Sequence, residues 1–266
     1  MGLSNIIETG RRLYRNRLAS RRSGAEASLD SEQKRWLSEL RESGIAMIPG
    51  FLSAQACAEI RSALDSTISG SPVETLVASG PAPKTGWPTA HGYSIWADQE
   101  LSDIRVLGAE AIHPLIRRFH EDSRLCAVGK HYLSEDDLHV VFTMANRVVY
   151  RDYNKGSGGG WHRDIAYRRG FKAMVYLCDV DTHHGPFQYI PHSDSALYHL
   201  FKTNHPDQYQ FSHEEILQLV RRDESRLREA TASEGTLLLF ETNLIHRGKP
   251  IGSGNTRYAM TNYHNH

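Results

Sequence analysis

The sequence predicts a mainly β protein with helices in its N-terminal part. Short segments rich in β-branched and aromatic residues, separated by Gly, Asn or Asp, recur through the second half of the chain and are typical of antiparallel strands. These predicted strands cover residues 139–143, 147–153, 173–177, 236–240 and 257–263. Before them the apolar residues recur at helical spacing, including over residues 101–119.

Capping signals bound the first two predicted helices. Asp30 with Gln33 three residues later forms a capping-box pattern, and Gly44 after the apolar face is typical of a helix end. Ser53 is the N-cap signal of a second helix, which should end at Gly70. We expect both helices to serve as scaffold rather than to carry the chemistry.

Composition excludes several classes of protein. The chain has 266 residues, with 31 acidic and 31 basic ones, so no overall field favours nucleic acid. No apolar run approaches the roughly 20 residues that a membrane-spanning helix needs. The three cysteines, Cys57, Cys126 and Cys178, form no Cys-x-x-Cys motif, which favours free thiols in the cytoplasm. The oligomeric state is left open.

We divide the chain into residues 1–43, a basic helical extension, and residues 44–266, a single domain. Within that domain, residues 192–233 form a predicted insertion, in which Ser212 and Glu215 make a second capping-box pattern. The insertion lies between the two halves of the candidate site in sequence. Its helix therefore either covers the entrance to the site or packs peripherally on the strands.

The chemistry is carried by a His-x-Asp motif that follows three glycines at residues 158–160. In an extended strand, His162 and Asp164 point to the same side and can converge on one metal ion. His246, just past another predicted strand, is the best third ligand, and two His with one carboxylate are typical of non-haem iron(II). Arg257, eleven residues further on, could clamp a carboxylate with two hydrogen bonds.

These four residues in this order resemble the phytanoyl-CoA dioxygenase family of iron(II)/2-oxoglutarate oxygenases. Two further segments resemble the family, one over residues 44–53 and one over residues 185–193, so the resemblance runs from about Gly44 to the C-terminus. Two residues depart from its pattern. His192 stands where the family usually has Gly, and Gly248 stands where its members often carry a Ser or Thr hydroxyl that helps hold 2-oxoglutarate.

The resemblance implies a fold, a cofactor and a reaction. The fold would be a double-stranded β-helix, the jelly-roll core that this family uses. Iron(II) would be held by the two His and the Asp, and the distal carboxylate of 2-oxoglutarate by Arg257. Asn146, Arg147 and Tyr153 lie on strands where family members often place further contacts to 2-oxoglutarate. The implied reaction uses O2 to convert 2-oxoglutarate to succinate and CO2 and hydroxylates a small organic substrate; Asp164 argues against halogenation.

Two other functions remain open on the sequence. A jelly-roll protein could keep the metal site as a non-catalytic binding protein, which Gly248 and His192 make conceivable. A zinc hydrolase could use the same two His and one Asp, although Arg257 would then have no task.

A local excess of basic residues surrounds the His-x-Asp motif. It suits an anionic substrate, but a solvated basic face would look the same in sequence. The residues are Arg151, Lys155, Arg163, Arg168, Arg169 and Lys172. A Pro- and Gly-rich loop over residues 71–89, followed by aromatic side chains, either forms a wall of the substrate pocket or simply packs on the core.

Overall fold

The fold is mainly β with helices, as predicted. The computed structural model describes residues 28–71, 76–78, 92–98, 100–152, 156–164, 169–204 and 208–265. The helices are α1 (Ser31–Ser43), α2 (Ala54–Gly70), α3 (Pro114–His120), α4 (Ser123–Leu133), α5 (Ala196–Lys202) and α6 (His213–Leu219), with 3₁₀ turns at Ala109–Ala111 and Glu224–Arg226.

The strands form two sheets. In chain order they are β1 (Ile45–Ile48), β2 (Leu76–Ala78), β3 (Ser94–Ala97), β4 (Asp103–Leu107), β5 (Val140–Val149), β6 (Trp161–His162), β7 (Phe171–Tyr176), β8 (Phe187–Tyr189), β9 (Gln210–Phe211), β10 (Arg228–Ala230), β11 (Leu237–Glu241), β12 (His246–Gly248) and β13 (Thr256–His264). The large sheet has the order β1-β11-β7-β13-β5-β4-β3-β2 and the small sheet the order β10-β8-β12-β6-β9. Neighbouring strands are antiparallel except for the β2–β3 pair.

The large sheet is buried on both faces, and strand β11 shows how. Leu237 and Leu239 join a core that includes the N-terminal helices, whereas Leu238 and Phe240 point to the other face. The two faces alternate along β11 because successive side chains of a strand point to opposite sides of the sheet. On that second face Phe240 meets Phe187 of the small sheet, with ring centroids 4.6 Å apart. The space between the two sheets is where the candidate site lies.

Helix α1 begins and ends where its capping signals predict. Asp30 accepts the backbone N–H of Gln33, the Gln33 side chain accepts that of Asp30, and Gly44 ends the helix with a φ of 77°. Its buried residues Trp36 and Leu37 belong to the same core as the large sheet. The boundary we placed after residue 43 therefore does not separate two cores within the described residues, and the residues before 28 lie outside them.

The predicted helix over residues 101–119 is wrong in its first half. Strand β4 occupies residues 103–107, with Ile104 and Val106 in the core beneath the helices and Asp103 on the opposite face. The apolar residues of β4 have the period of a strand, and helical structure begins only with the 3₁₀ turn Ala109–Ala111 and α3. The strands predicted over residues 139–143 and 147–153 are one strand, β5. Asn146 does not break it, because its amide is buried and donates to Asp103.

The insertion supplies the two edge strands of the small sheet, β9 and β10, and its helix α6 packs on the outside of that sheet. The capping box of Ser212 and Glu215 forms as predicted and begins α6. Ile216 of this helix is buried with Trp161 and Phe211, on the face opposite His162. Of the two placements that the sequence left open, the structure therefore shows the peripheral one for α6.

Among the described helices, none combines the length and the apolar character that crossing a bilayer requires.

Candidate metal centre and its pocket

Three side chains of the predicted metal site converge between the sheets. Strand β12 pairs with β6 so that His246 lies opposite His162, and Asp164 follows two residues after His162. The ligand atoms that His162, Asp164 and His246 offer all lie within 4.8 Å of one another. In the part of the chain that the structure describes, this is the one group of three or more such side chains close enough to share an ion.

Both imidazoles are oriented by backbone carbonyls. Nδ1 of His162 lies 2.8 Å from the carbonyl oxygen of Gly160, and Nδ1 of His246 lies 2.7 Å from that of Leu244. Because a carbonyl oxygen only accepts, each Nδ1 carries the proton and donates it. Nε2 of each ring then keeps its lone pair for a metal ion. Metal-binding histidines are commonly held in this way, with the other ring nitrogen donating to an acceptor of the protein.

Glycine at position 158 leaves room for the first imidazole. Its φ is +88°, and a Cβ built there would lie 2.4 Å from Cε1 of His162. The glycine before the motif thus permits close approach of the backbone to the ligand ring. Trp161 points to the other side of β6 and is buried with Phe211 and Ile216.

Lys172 on β7 holds the carboxylate of Asp164. Its Nζ lies 2.9 Å from Oδ2 of Asp164 and 4.1 Å from the ring centroid of Tyr263. Burial alone would raise the pKa of Asp164, but the charge of Lys172 lowers that pKa well below its usual value. Asp164 is therefore ionised, and its Oδ1 faces Nε2 of His162 at 3.6 Å.

His246 is neutral at physiological pH. Burial lowers the pKa of His246 from 6.5 to about 3. Imidazole nitrogens with one ionised carboxylate are a suitable donor set for a divalent transition metal.

Arg257 reaches the same cavity from β13. It is 5% exposed and donates from Nη1 to the carbonyl oxygen of Gly185. Gly248 makes space for it, because a Cβ at position 248 would lie 3.1 Å from Nη2 of Arg257 and 2.8 Å from Cβ of Ser157. The missing hydroxyl at position 248 therefore has a steric reason in this chain.

Of the other predicted contacts to 2-oxoglutarate, Arg147 does not reach the site. Arg147 points to the opposite face of β5, where its Nη1 lies 2.8 Å from Oδ1 of Asp65 on α2. Its neighbour Asn146 occupies the face between the sheets, because consecutive side chains of a strand alternate. Tyr153 lies outside the described residues.

The cavity around the metal centre has a volume of about 260 Å³. Its apolar lining comes from Met144, Met174, Phe187 and Phe240, and its charged lining includes Arg105 and Lys172. Arg105 was missed because residues 101–119 were assigned to a helix, and Lys172 was named only within a group of basic residues that could face either an anionic substrate or solvent. The signal that could have found them is alternation: both stand on the inward face of a strand, and Lys172 shares that face with Met174.

Comparison with known proteins identifies the family. The family model for phytanoyl-CoA dioxygenase matches residues 40–259, most of the chain. The chain belongs to the phytanoyl-CoA dioxygenase family. Membership confirms the predicted iron(II) cofactor and 2-oxoglutarate cosubstrate at the level of the family. His192, at the family's usual glycine position, adopts a φ of 59°, in the region that favours glycine.

Several solved structures have a fold similar to that of this chain. EctD from S. alaskensis in its apoform has a TM-score of 0.60 at 18% identity, covering 89% of this chain and 77% of that one. The epimerase SnoN, solved with Fe3+, alpha ketoglutarate and nogalamycin RO, has a TM-score of 0.58 at 14% identity and covers 88% and 83%. HygX from Streptomyces hygroscopicus, solved with nickel and 2-oxoglutarate, has a TM-score of 0.54 at 19% identity and covers 88% and 86%. No curated protein matches the chain.

Proposed function

We propose that the protein is an iron(II)- and 2-oxoglutarate-dependent dioxygenase that hydroxylates a small organic substrate. The observation that carries the proposal is the convergence of His162, Asp164 and His246, with Arg257 lining the same cavity. When bound, iron(II) and 2-oxoglutarate supply the oxidising chemistry, in which O2 converts 2-oxoglutarate to succinate and CO2 while a C–H bond of the substrate is oxidised.

The residues present fit iron(II). Two imidazoles offer Nε2 and one ionised carboxylate offers Oδ1, which is the facial set that leaves positions open for other ligands. Lys172 occupies the other carboxylate oxygen, Oδ2, and so favours binding of Asp164 through a single oxygen. The backbone carbonyls of Gly160 and Leu244 hold both imidazole rings in the orientation that iron(II) binding would require.

Arg257 is the proposed anchor of the cosubstrate. A buried guanidinium that lines a cavity matches a carboxylate in charge and in planar geometry. Phe187 and Phe240 line the same cavity and offer apolar surface to the carbon chain of 2-oxoglutarate. A charge-assisted hydrogen bond in that environment is worth about 1.5–3 kcal/mol.

The two facing sheets support the proposed double-stranded β-helix. His162 and His246 come from the small sheet, whereas Lys172 and Arg257 come from the large one, so the site forms only when the sheets face each other. Ligand binding between the two sheets is typical of such barrels and jelly rolls.

Hydroxylation is the proposed outcome because Asp164 occupies the position that a halogenase would need to open for halide. Similar structures include proteins named an epimerase and a carbocyclase, so the outcome depends on how the substrate lies in the cavity. The zinc hydrolase is disfavoured by Arg257, which a hydrolase would not need inside the same cavity. The non-catalytic alternative is weakened because Arg257 and Ser157 account for Gly248.

The proposed location is the cytoplasm, on the basis of three cysteines that are all free thiols.

The test is O2-dependent formation of succinate from 2-oxoglutarate by protein loaded with iron(II). We expect slow succinate release even without the substrate, and none from Asp164→Ala. Gln208→Ala, a change before β9 in a side chain that bonds Glu215 of α6 rather than a metal ligand, is the control and should behave like wild type. If zinc-loaded protein hydrolyses esters or amides while the iron-loaded protein leaves 2-oxoglutarate intact, the oxygenase proposal is wrong.

A further inference from the structure

Glu241 is a buried carboxylate with no place in the proposed chemistry of the site. It ends β11 and is 0% exposed. Its side chain shares a face with Leu237 and Leu239, which belong to the core beneath the helices, because alternate residues of a strand point to the same side. Glu241 therefore points away from the cavity. A buried carboxylate is stable only with partners, so its contacts indicate what it does.

Arg169 neutralises one oxygen of this carboxylate. Its Nε lies 2.8 Å from Oε2 of Glu241. The guanidinium is itself held by Tyr132 of α4, since Cζ lies 4.2 Å from the ring centroid and Nη1 donates to the backbone carbonyl at 3.3 Å. The ion pair thus ties the end of β11 to a helix and leaves Oε1 for other donors.

The other oxygen, Oε1, accepts two backbone N–H groups. One comes from Gly170, just before β7, at 2.9 Å, and the other from Asn243, in the turn between β11 and β12, at 3.3 Å. Between them, the N–H of Thr242 donates to the carbonyl of Gly170 at 3.1 Å. The carboxylate therefore joins two backbone segments, one that follows Asp164 and one that precedes His246.

Asp164 depends on the first of these segments. Its backbone N–H donates to the carbonyl of Thr242 at 3.1 Å. Asp164 and Gly170 are thus both bonded to the residues at the end of β11. A displacement of Thr242 would carry the backbone of Asp164 with it, and so move the carboxylate ligand relative to the histidines.

His246 depends on the second segment. The backbone carbonyl of Glu241 accepts the N–H of Leu244 at 3.2 Å, so Glu241 supports the turn over residues 241–244 with its main chain as well as its side chain. Leu244 in turn supplies the carbonyl that lies 2.7 Å from Nδ1 of His246. The orientation of this imidazole is therefore linked to Glu241 through one turn of backbone.

We propose that Glu241, held by Arg169, is a positioning residue that places Asp164 and His246 for the metal before the metal binds. Ligands that are ordered during folding cost less to order on binding, so the clamp raises metal affinity. The inference rests on the proposed function and adds to it the residue that sets two of the three ligands. Removal of such an outer partner typically weakens metal binding about 10- to 100-fold.

The experiment titrates apoprotein with iron(II) by calorimetry without O2, beside urea unfolding of each apoprotein. The main variant is the double substitution Glu241→Leu with Arg169→Met. It leaves no unpaired charge, and replacement of a buried ion pair by apolar side chains commonly preserves stability. We expect an unfolding free energy close to that of wild type and an iron(II) affinity about 10- to 100-fold weaker.

Two further variants separate position from stability. Glu241→Gln keeps the size of the side chain but turns an amide against Arg169, and should also weaken iron(II) binding; it decides the question if the double variant does not fold. The matched control is Glu234→Leu with Arg61→Met, which removes an ion pair of 2.9 Å at the opposite end of β11. It should keep the wild-type iron(II) affinity even if it loses stability.

Two results would overturn the inference. One is wild-type iron(II) affinity in folded Glu241 variants, and the other is an equal loss of affinity in the control, which would mean that affinity follows stability rather than this clamp. Failure of the folded wild-type protein to bind iron(II) would instead refute the proposed function itself.

Discussion

Replacing Gly158 by Ala tests how closely the backbone supports the first metal ligand. A methyl group at this position would lie 2.4 Å from Cε1 of His162, against 3.4 Å for an ordinary contact, so the imidazole must move by about 1 Å. That movement also pulls Nδ1 away from the carbonyl oxygen of Gly160. Loss of such an orienting contact typically lowers metal affinity about 10- to 100-fold.

Gly159→Ala is the matched control. Gly158 and Gly159 have φ values of 88° and 76°, so both alanines pay the same penalty of about 1–2 kcal/mol for a left-handed backbone. A Cβ at position 159, however, has nothing within 4 Å. Both variants should therefore lose similar stability against urea, while only Gly158→Ala loses metal affinity.

The assay is calorimetric titration of the apoproteins with iron(II) without O2, beside urea unfolding of each variant. Equal metal affinities for Gly158→Ala and Gly159→Ala would refute the reasoning, because they would mean that the imidazole does not depend on the space at position 158.

Three further predictions test the rest of the account. Arg257→Gln should weaken 2-oxoglutarate binding about 10- to 100-fold without changing iron affinity, whereas Arg147→Gln should change neither; equal effects in calorimetry would contradict the assignment. Folding lowers the pKa of Asp103. Burial alone would raise it, but the charge and hydrogen bonds of Arg105, together with the hydrogen bonds of Asn146 and Ser157, outweigh burial. The ionised Asp103 therefore stabilises the protein above its unfolded pKa of 3.8, and this stabilisation is lost as the pH falls through the folded pKa. Asp103→Asn should accordingly destabilise the protein at pH 7, and the difference from wild type in urea unfolding should shrink below pH 3.8; a difference independent of pH would contradict this. Leu37→Ala should lower the free energy of unfolding by about 2–5 kcal/mol in one transition, and a loss of stability confined to a separate early transition would show that α1 is not part of the main core.

The sequence predicted the metal centre better than the rest of the pocket, for a physical reason. His162 and Asp164 are two residues apart, so local strand geometry alone brings them to one side. Arg147 was assigned to the wrong face, because its orientation depends on which residues of β5 point between the sheets, and that is set by pairing with β4 and β13. Arg105 and Lys172 come together with the ligands through the register of four strands, which local patterns do not encode.

Among the helices, too, local interactions could be predicted from the sequence and tertiary contacts could not. Those with capping boxes, α1 and α6, begin where Asp30 and Ser212 predict, because a cap is a local interaction. Residues 103–107 were assigned to a helix, and the face on which α6 packs was left open. Both are decided by tertiary contacts, in which Ile104 enters the helical core and Ile216 meets Trp161.

The central claim is that His162, Asp164 and His246 hold iron(II) in a form that 2-oxoglutarate can chelate. The most direct measurement is titration of the apoprotein with iron(II) and then 2-oxoglutarate without O2, following the weak visible charge-transfer band of the chelate in wild type and in His162→Ala. The account predicts a band that saturates at one iron per chain in wild type and is absent in His162→Ala. A folded wild-type protein that binds zinc at these residues and gives no band with iron(II) and 2-oxoglutarate would contradict it.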